Sequence, residues 1–306
     1  MPSPPSSAAD AAHRLRGISI YCCTMLAFAG LDASAKYAGR YVPALEVAWV
    51  RFLVHVALAL LILRPWHDWG PYRTKRPLLQ ILRSLFLVGS TIFNFLALQS
   101  LQLDQTVSIA FSCPFLIAAL AGPLLGEWAG PQRWIAIGIG FLGVLVIAMP
   151  GFGDAKPALL LSFGSAISYA FYIILTRMLS PTESSASMLL LSAVVPAIAL
   201  APVAVPVSVL PPTLIVVLCL FLTGFCGLFG HWCVILAHKL APAPVLAPFM
   251  YTQIIWMILL GYLVFGDVPA PRTLAGTGII VASGLYLLYR ESRNSHGRLT
   301  STLDDA

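Results

Sequence analysis

The sequence predicts an all-α membrane protein, with ten transmembrane helices arranged as a 5+5 inverted repeat around a central cavity. Three observations predict it. Of 306 residues, 59% are hydrophobic and 10% charged, with a mean hydropathy of +0.88; a soluble domain carries about 25% charged residues. The apolar residues fall into runs long enough to cross a bilayer, for which about 20 helical residues span roughly 30 Å. Corners of the first half recur in the second at a nearly constant offset.

Residues 1–16 are rich in Pro, Ser and Ala, with His13, Arg14 and Arg16, and read as a disordered basic tail. Ten spans follow at about 17–39, 43–63, 78–100, 103–126, 133–150, 157–179, 186–207, 213–236, 243–265 and 272–290, then a polar tail, 291–306. The first run is too long for a cleavable signal peptide and lacks an A-x-A-like site. In the fourth span Pro114 predicts a kink, which a membrane bundle tolerates where neighbours re-satisfy the freed carbonyl. The seventh span carries Pro196, Pro202 and Pro206 and reads as a full span, with a re-entrant segment as the alternative. In the eighth, Gly224, Gly227 and Gly230 at three-residue steps suit close helix packing, or a hinge with Pro242, Pro244 and Pro248. All six cysteines lie inside apolar runs, as small buried side chains rather than disulfides or metal ligands.

With the N-terminus inside, twelve Lys and Arg fall in inside segments against four outside, leaving out Arg51 and Arg83 within spans. Both termini are therefore expected in the cytoplasm. The net charge of +6 reflects these loops and is no nucleic-acid footprint. The repeat shows in Glu127-Trp-Ala-Gly-Pro131 against Asp267-Val-Pro-Ala-Pro271, offset by 140 residues. Val107 and Phe111 match Val245 and Phe249 at 138, and Lys36 matches Arg177 at 141. Five spans are odd in number, so the second set, residues 157–290, enters the membrane inverted relative to the first, 17–150.

Asp32-Ala-Ser-Ala-Lys36-Tyr37, Arg51-Phe52, Arg76-Pro77, Pro114-Phe115 with Gly126-Glu127, and Gly140-Phe-Leu-Gly143-Val144 resemble the drug/metabolite transporter superfamily, in its ten-span EamA-type members. The resemblance covers about residues 17–290. It implies a bundle in the bacterial inner membrane whose cavity is lined mainly by spans 1, 3, 4, 6, 8 and 9, with spans 5 and 10 peripheral. It also implies export of amino acids, aromatic ones among them, or related metabolites. The seventh span has no arginine to match Arg51, so that residue is not duplicated by symmetry.

Ionisable groups within spans are costly and point to function. Asp32 lies roughly 6 Å, and Arg51 roughly 3 Å, outward of its span's centre, so the two can pair. A structural ion pair is one reading; a substrate-carboxylate role for Arg51 or proton coupling at Asp32 is the other. His55, one helical turn from Arg51, is a neutral partner, a pH sensor or a packing residue. Glu46 and Lys36 lie near enough to the outer interface to be solvated. A mid-membrane band holds Asn94, Ser112 beside Pro114, Tyr169, Tyr172, His231, Trp232, Tyr251 and Gln253. Such rings beside amides and hydroxyls suit a small zwitterion with an apolar side chain.

The expected function is secondary transport of a small-molecule substrate by alternating access, in contact with membrane lipid. The sequence contains no P-loop, G-x-S-x-G or H-E-x-x-H motif, so no catalytic residue, cofactor or metal site is expected, and no nucleic-acid partner. Alternatives are a facilitator, a lipid scramblase, or an exporter of drugs or of metabolites such as nucleosides.

Overall fold

A computed structural model describes residues 7–68, 70–126, 131–148, 156–240 and 246–304. Eleven α-helices are labelled in order: α1 (Ser7–Ala38), α2 (Ala44–Leu63), α3 (Pro77–Leu98), α4 (Leu103–Ala110), α5 (Cys113–Leu125), α6 (Pro131–Ala148), α7 (Lys156–Leu179), α8 (Ser185–Ala204), α9 (Leu214–Leu240), α10 (Gln253–Leu260) and α11 (Pro271–Asp304). Among the described residues there is no strand. Seven apolar stretches are long enough to cross a membrane, and Gly138–Ile147 and Phe249–Phe265 are shorter ones. The chain is a multi-pass membrane protein.

The N-terminal segment departs from expectation. Helix α1 begins at Ser7, inside the segment read as disordered, because the Ala-rich stretch after it favours helix. Helix α11 continues through the polar segment to Asp304. Residues 1–6, the Glu127 corner, Pro242, Pro244 and Val245 lie outside the described residues.

Prolines set the joints. Pro43 (φ −58°) precedes α2, and Pro77 is the first residue of α3. Pro114 lacks an N–H, so the fourth run breaks at Phe111–Ser112 into α4 and α5. The chain tightens there, with Ser112 N donating to the Ile109 carbonyl at 2.9 Å. Helix α8 continues through Pro196 and Pro202, so the full-span reading holds. The Trp49 indole donates to the Ala197 carbonyl (3.0 Å), a neighbour's side chain bonding backbone between the prolines. The ninth apolar stretch is irregular: a 3₁₀ turn over Ala247–Thr252, then α10, then a π-helical turn over Gly261–Phe265.

Helix α1 packs on α9, α3 on α7, α2 on α8 and α9, and α3 on α8. Helices α4 and α5 pack on α7, α10 on α1 and α4, and α6 on α11. The glycine steps of α9 serve packing: a Cβ at Gly224 would come within 2.7 Å of the Arg51 carbonyl oxygen. Glu46 is not solvated, being 5% exposed and accepting from Val209 N at 2.9 Å. It ties the start of α2 to the loop after α8.

Candidate functional site

A cavity of about 720 Å³ lies between the helices, within the range of small-molecule sites. Its walls come from α1, α3, α4, α5, α7, α9 and the Met250–Gln253 segment, with Arg51 from α2; no described residue of α6, α8 or α11 lines it. Tyr21 to Asp32 on α1 gives it a depth of about 16 Å. Ala121, Arg177 and Val234 carry the lining towards the N-terminal end of α1. At the other end Leu98, Leu101 and Leu103 are buried. There Lys36 Nζ meets Asp267 Oδ2 at 2.7 Å and lies 4.7 Å from the centre of the Phe265 ring, with the Arg40 guanidinium 4.8 Å from the same ring. Lys36 is thus engaged rather than solvated: the pair joins the end of α1 to the corner before α11.

Asp32 and Arg51 both line the cavity and do not pair. Among the described residues the one ion pair within 4.0 Å is Lys36–Asp267. Asp32 Oδ1 accepts from Asn94 Nδ2 at 2.9 Å, and Arg51 Nη1 donates to Thr91 Oγ1 at 2.6 Å. The expected structural pair is corrected: Thr91 and Asn94, three residues apart on one face of α3, each bond one of the two charges. The guanidinium lies 5.0 Å from the Phe52 ring centre and 5.7 Å from that of Phe95.

Of the mid-membrane band, Asn94, Pro114, Tyr169, His231 and Gln253 line the cavity. Ser112, Tyr172, Trp232 and Tyr251 do not. The Ser112 hydroxyl donates to the Ile109 carbonyl (2.7 Å) at the helix break. Tyr172 turns to Arg83, whose guanidinium sits 5.3 Å from its ring centre. Trp232, next along the helix from His231, is 48% exposed on the outside of α9. Tyr251 is buried edge-on against Phe111, centroids 5.0 Å apart. His55 also stays off the wall, stacked behind His231 at 6.2 Å.

Sequence reasoning missed Thr91 and the pair Ser90–Ser165, whose hydroxyl oxygens lie 3.2 Å apart on the wall. Thr91 was findable as the residue one turn before Asn94. Arg83, set aside as a mid-span cation, is 1% exposed and belongs to the frame. Its Nη2 donates to the Met188 carbonyl (2.6 Å) and Ser192 (2.8 Å), and its Nε to Gln80 (3.2 Å).

The EamA-like transporter family matches the chain twice in tandem, over residues 15–149 and 156–290. An S-adenosylmethionine uptake transporter of Rickettsia bellii is 30% identical over 278 residues, covering 90% of this chain and 94% of that protein. Its counterpart in Rickettsia prowazekii is 28% identical over 281 residues, covering 92% and 95%. A riboflavin transporter of Vibrio cholerae is 28% identical over 288 residues, covering 92% and 96%. A solved crystal structure shares the fold at a TM-score of 0.61 and 17% identity, covering 90% of this chain and 98% of that one. None of these three relatives is named for amino-acid export, the activity implied by the sequence resemblance.

Proposed function

The chain belongs to the EamA-like transporter family, and we propose that it is a secondary transporter moving a ring-bearing polar metabolite across the bacterial inner membrane by alternating access. S-adenosylmethionine is the first candidate, with riboflavin and aromatic amino acids behind it. The observation that carries the reading is the cavity: about 720 Å³, ringed by Phe28, Phe95, Phe111 and Tyr169, with Asp32 and Arg51 on its wall. Stacking faces, an anion and a cation in one pocket suit a heteroaromatic ring with a charged chain.

Alternating access draws support from matched packing. Taking α4 with α5 as the fourth span and Ala247–Phe265 as the ninth gives ten spans in two sets of five. Exchanging each span with the one five places on turns α1 on α9 into α7 on α3, and α2 on α9 into α8 on α3. The pairs α2 with α8 and α6 with α11 map onto themselves. The tandem family match divides the chain at the same place. The broken fourth and ninth spans both meet the cavity, where irregular backbone is tolerated in a membrane. With both termini cytoplasmic, the cavity faces inward and the Lys36–Asp267 pair closes the outer end. Arg177, the sequence counterpart of Lys36, lines the open end.

The test is uptake by purified protein in liposomes, with labelled S-adenosylmethionine, riboflavin and tryptophan against protein-free vesicles. Saturable uptake of a solute is the expected result. No solute uptake, with lipid scrambling above background, would replace the reading with a scramblase.

A further inference from the structure

We infer that the cavity is built for a dipolar solute, with Arg51 as its carboxylate site and Asp32 as its cation site. This rests on the transport reading above and names the solute class that reading leaves open. Arg51 is 8% exposed, yet its guanidinium uses only Nη1, on Thr91. Its Nε is buried without an acceptor, and Nη2 has none among the described residues. Nη2 is the arm left for a carboxylate, which would take it through a charge-assisted hydrogen bond. Nε instead faces α9, where a Cβ at Gly227 would lie 3.6 Å from it, in ordinary contact. The rings of Phe52 and Phe95 and the Thr91 hydroxyl fix the plane of the guanidinium.

Asp32 is the complement. Its one hydrogen bond comes from the neutral amide of Asn94, and Oδ2 accepts none among the described residues. The carboxylate faces the cavity with no cation within ion-pair distance. Had the two charges met, each would have cancelled the other and left nothing for a solute. Helix α3 gives each a separate clamp, about 4.5 Å apart along its axis. A purely anionic or purely cationic solute would leave one buried charge unpaired, whereas a zwitterion answers both. An ammonium or sulfonium centre at Asp32 would also lie among the aromatic rings of the same wall.

The test is competition against labelled S-adenosylmethionine for binding to the purified full-length protein. Competitors are S-adenosylmethionine, its decarboxylated form and riboflavin, with tryptophan, tryptamine and indole-3-propionate as a second series. In the wild type, loss of either charged group should weaken competition about tenfold or more. Arg51→Gln should erase the preference for the carboxylate, Arg51→Lys should keep part of it, and Asp32→Asn should erase the preference for the ammonium group. If the variants do not fold, the wild-type series decides alone. Riboflavin, which carries no fixed charge, competing as well as S-adenosylmethionine would overturn the inference, as would Arg51→Gln with its discrimination intact. Solute uptake with no zwitterion preference defeats this inference and leaves the transport reading standing; no binding and no uptake defeats both.

Discussion

Asp32 and Arg51 face one cavity and are each bonded by α3, the first through Asn94 at 2.9 Å and the second through Thr91 at 2.6 Å. A direct pair would have made both residues part of the scaffold. Two clamps one helical turn apart instead leave each charge able to take a further partner.

The Thr91 clamp gives the first prediction. Thr91→Val keeps the shape and removes the acceptor from a buried guanidinium, at a cost of about 1–3 kcal/mol. Arg51 then loses its fixed plane, and the affinity for a carboxylate-bearing probe should fall about tenfold while that for its decarboxylated analogue changes little. Titration calorimetry with tryptophan and tryptamine checks this split.

The second concerns the closed end. Lys36 and Asp267 have side chains 11% and 23% exposed, and a partly screened pair of this kind is worth about 1 kcal/mol, or about a fivefold shift between two states. Lys36→Met should therefore speed labelling of a cysteine placed at Leu101 by an impermeant maleimide, in a background freed of the six native cysteines. Exchanging the charges, Lys36→Asp with Asp267→Lys, should slow it again.

Arg83 supplies the third. It joins α3 to α7 and α8 with no carboxylate within ion-pair distance, through Tyr172 and Thr176 on one side and Met188 and Ser192 on the other. Arg83→Ala leaves these groups unbonded around a void and should cost roughly 3 kcal/mol. A lower melting temperature in detergent, with unchanged solute preference in the fraction still folded, is the expected outcome.

Glu183, in the turn between α7 and α8, governs a pH response outside the membrane. Burial pushes its pKa up, but hydrogen bonding, the Lys75 and Arg76 amides included, outweighs this and holds it below its ordinary 4.5. The amide bonds measure 2.9 and 3.0 Å. A depressed folded pKa stabilises the fold fully above the unfolded value and loses that stability as pH falls through the folded one. Melting temperature should therefore drop below about pH 4.5 in the wild type, and less in Glu183→Gln.

The membrane class and most helix positions were legible in the sequence because hydropathy is local: length and composition alone mark the runs that hydrocarbon accepts. Pro114 announced its own helix break for the same reason. The wall of the cavity was only partly legible, since facing depends on which helix lies opposite. Tyr169 and Tyr172 looked equivalent, but Arg83 drew the second out of the cavity. Trp232 was grouped with His231, though adjacent helical residues cannot share a face. Asp32 and Arg51 lie at compatible depths by residue count, but depth says nothing of the polar groups on α3 that each bonds instead.

Counterflow tests the central claim most directly. Liposomes containing the protein, preloaded with unlabelled S-adenosylmethionine and diluted into a trace of labelled solute, should accumulate label transiently above the equilibrium level, because one site faces each side in turn. Label that rises only to equilibrium, at the same rate with and without preloading, would contradict alternating access.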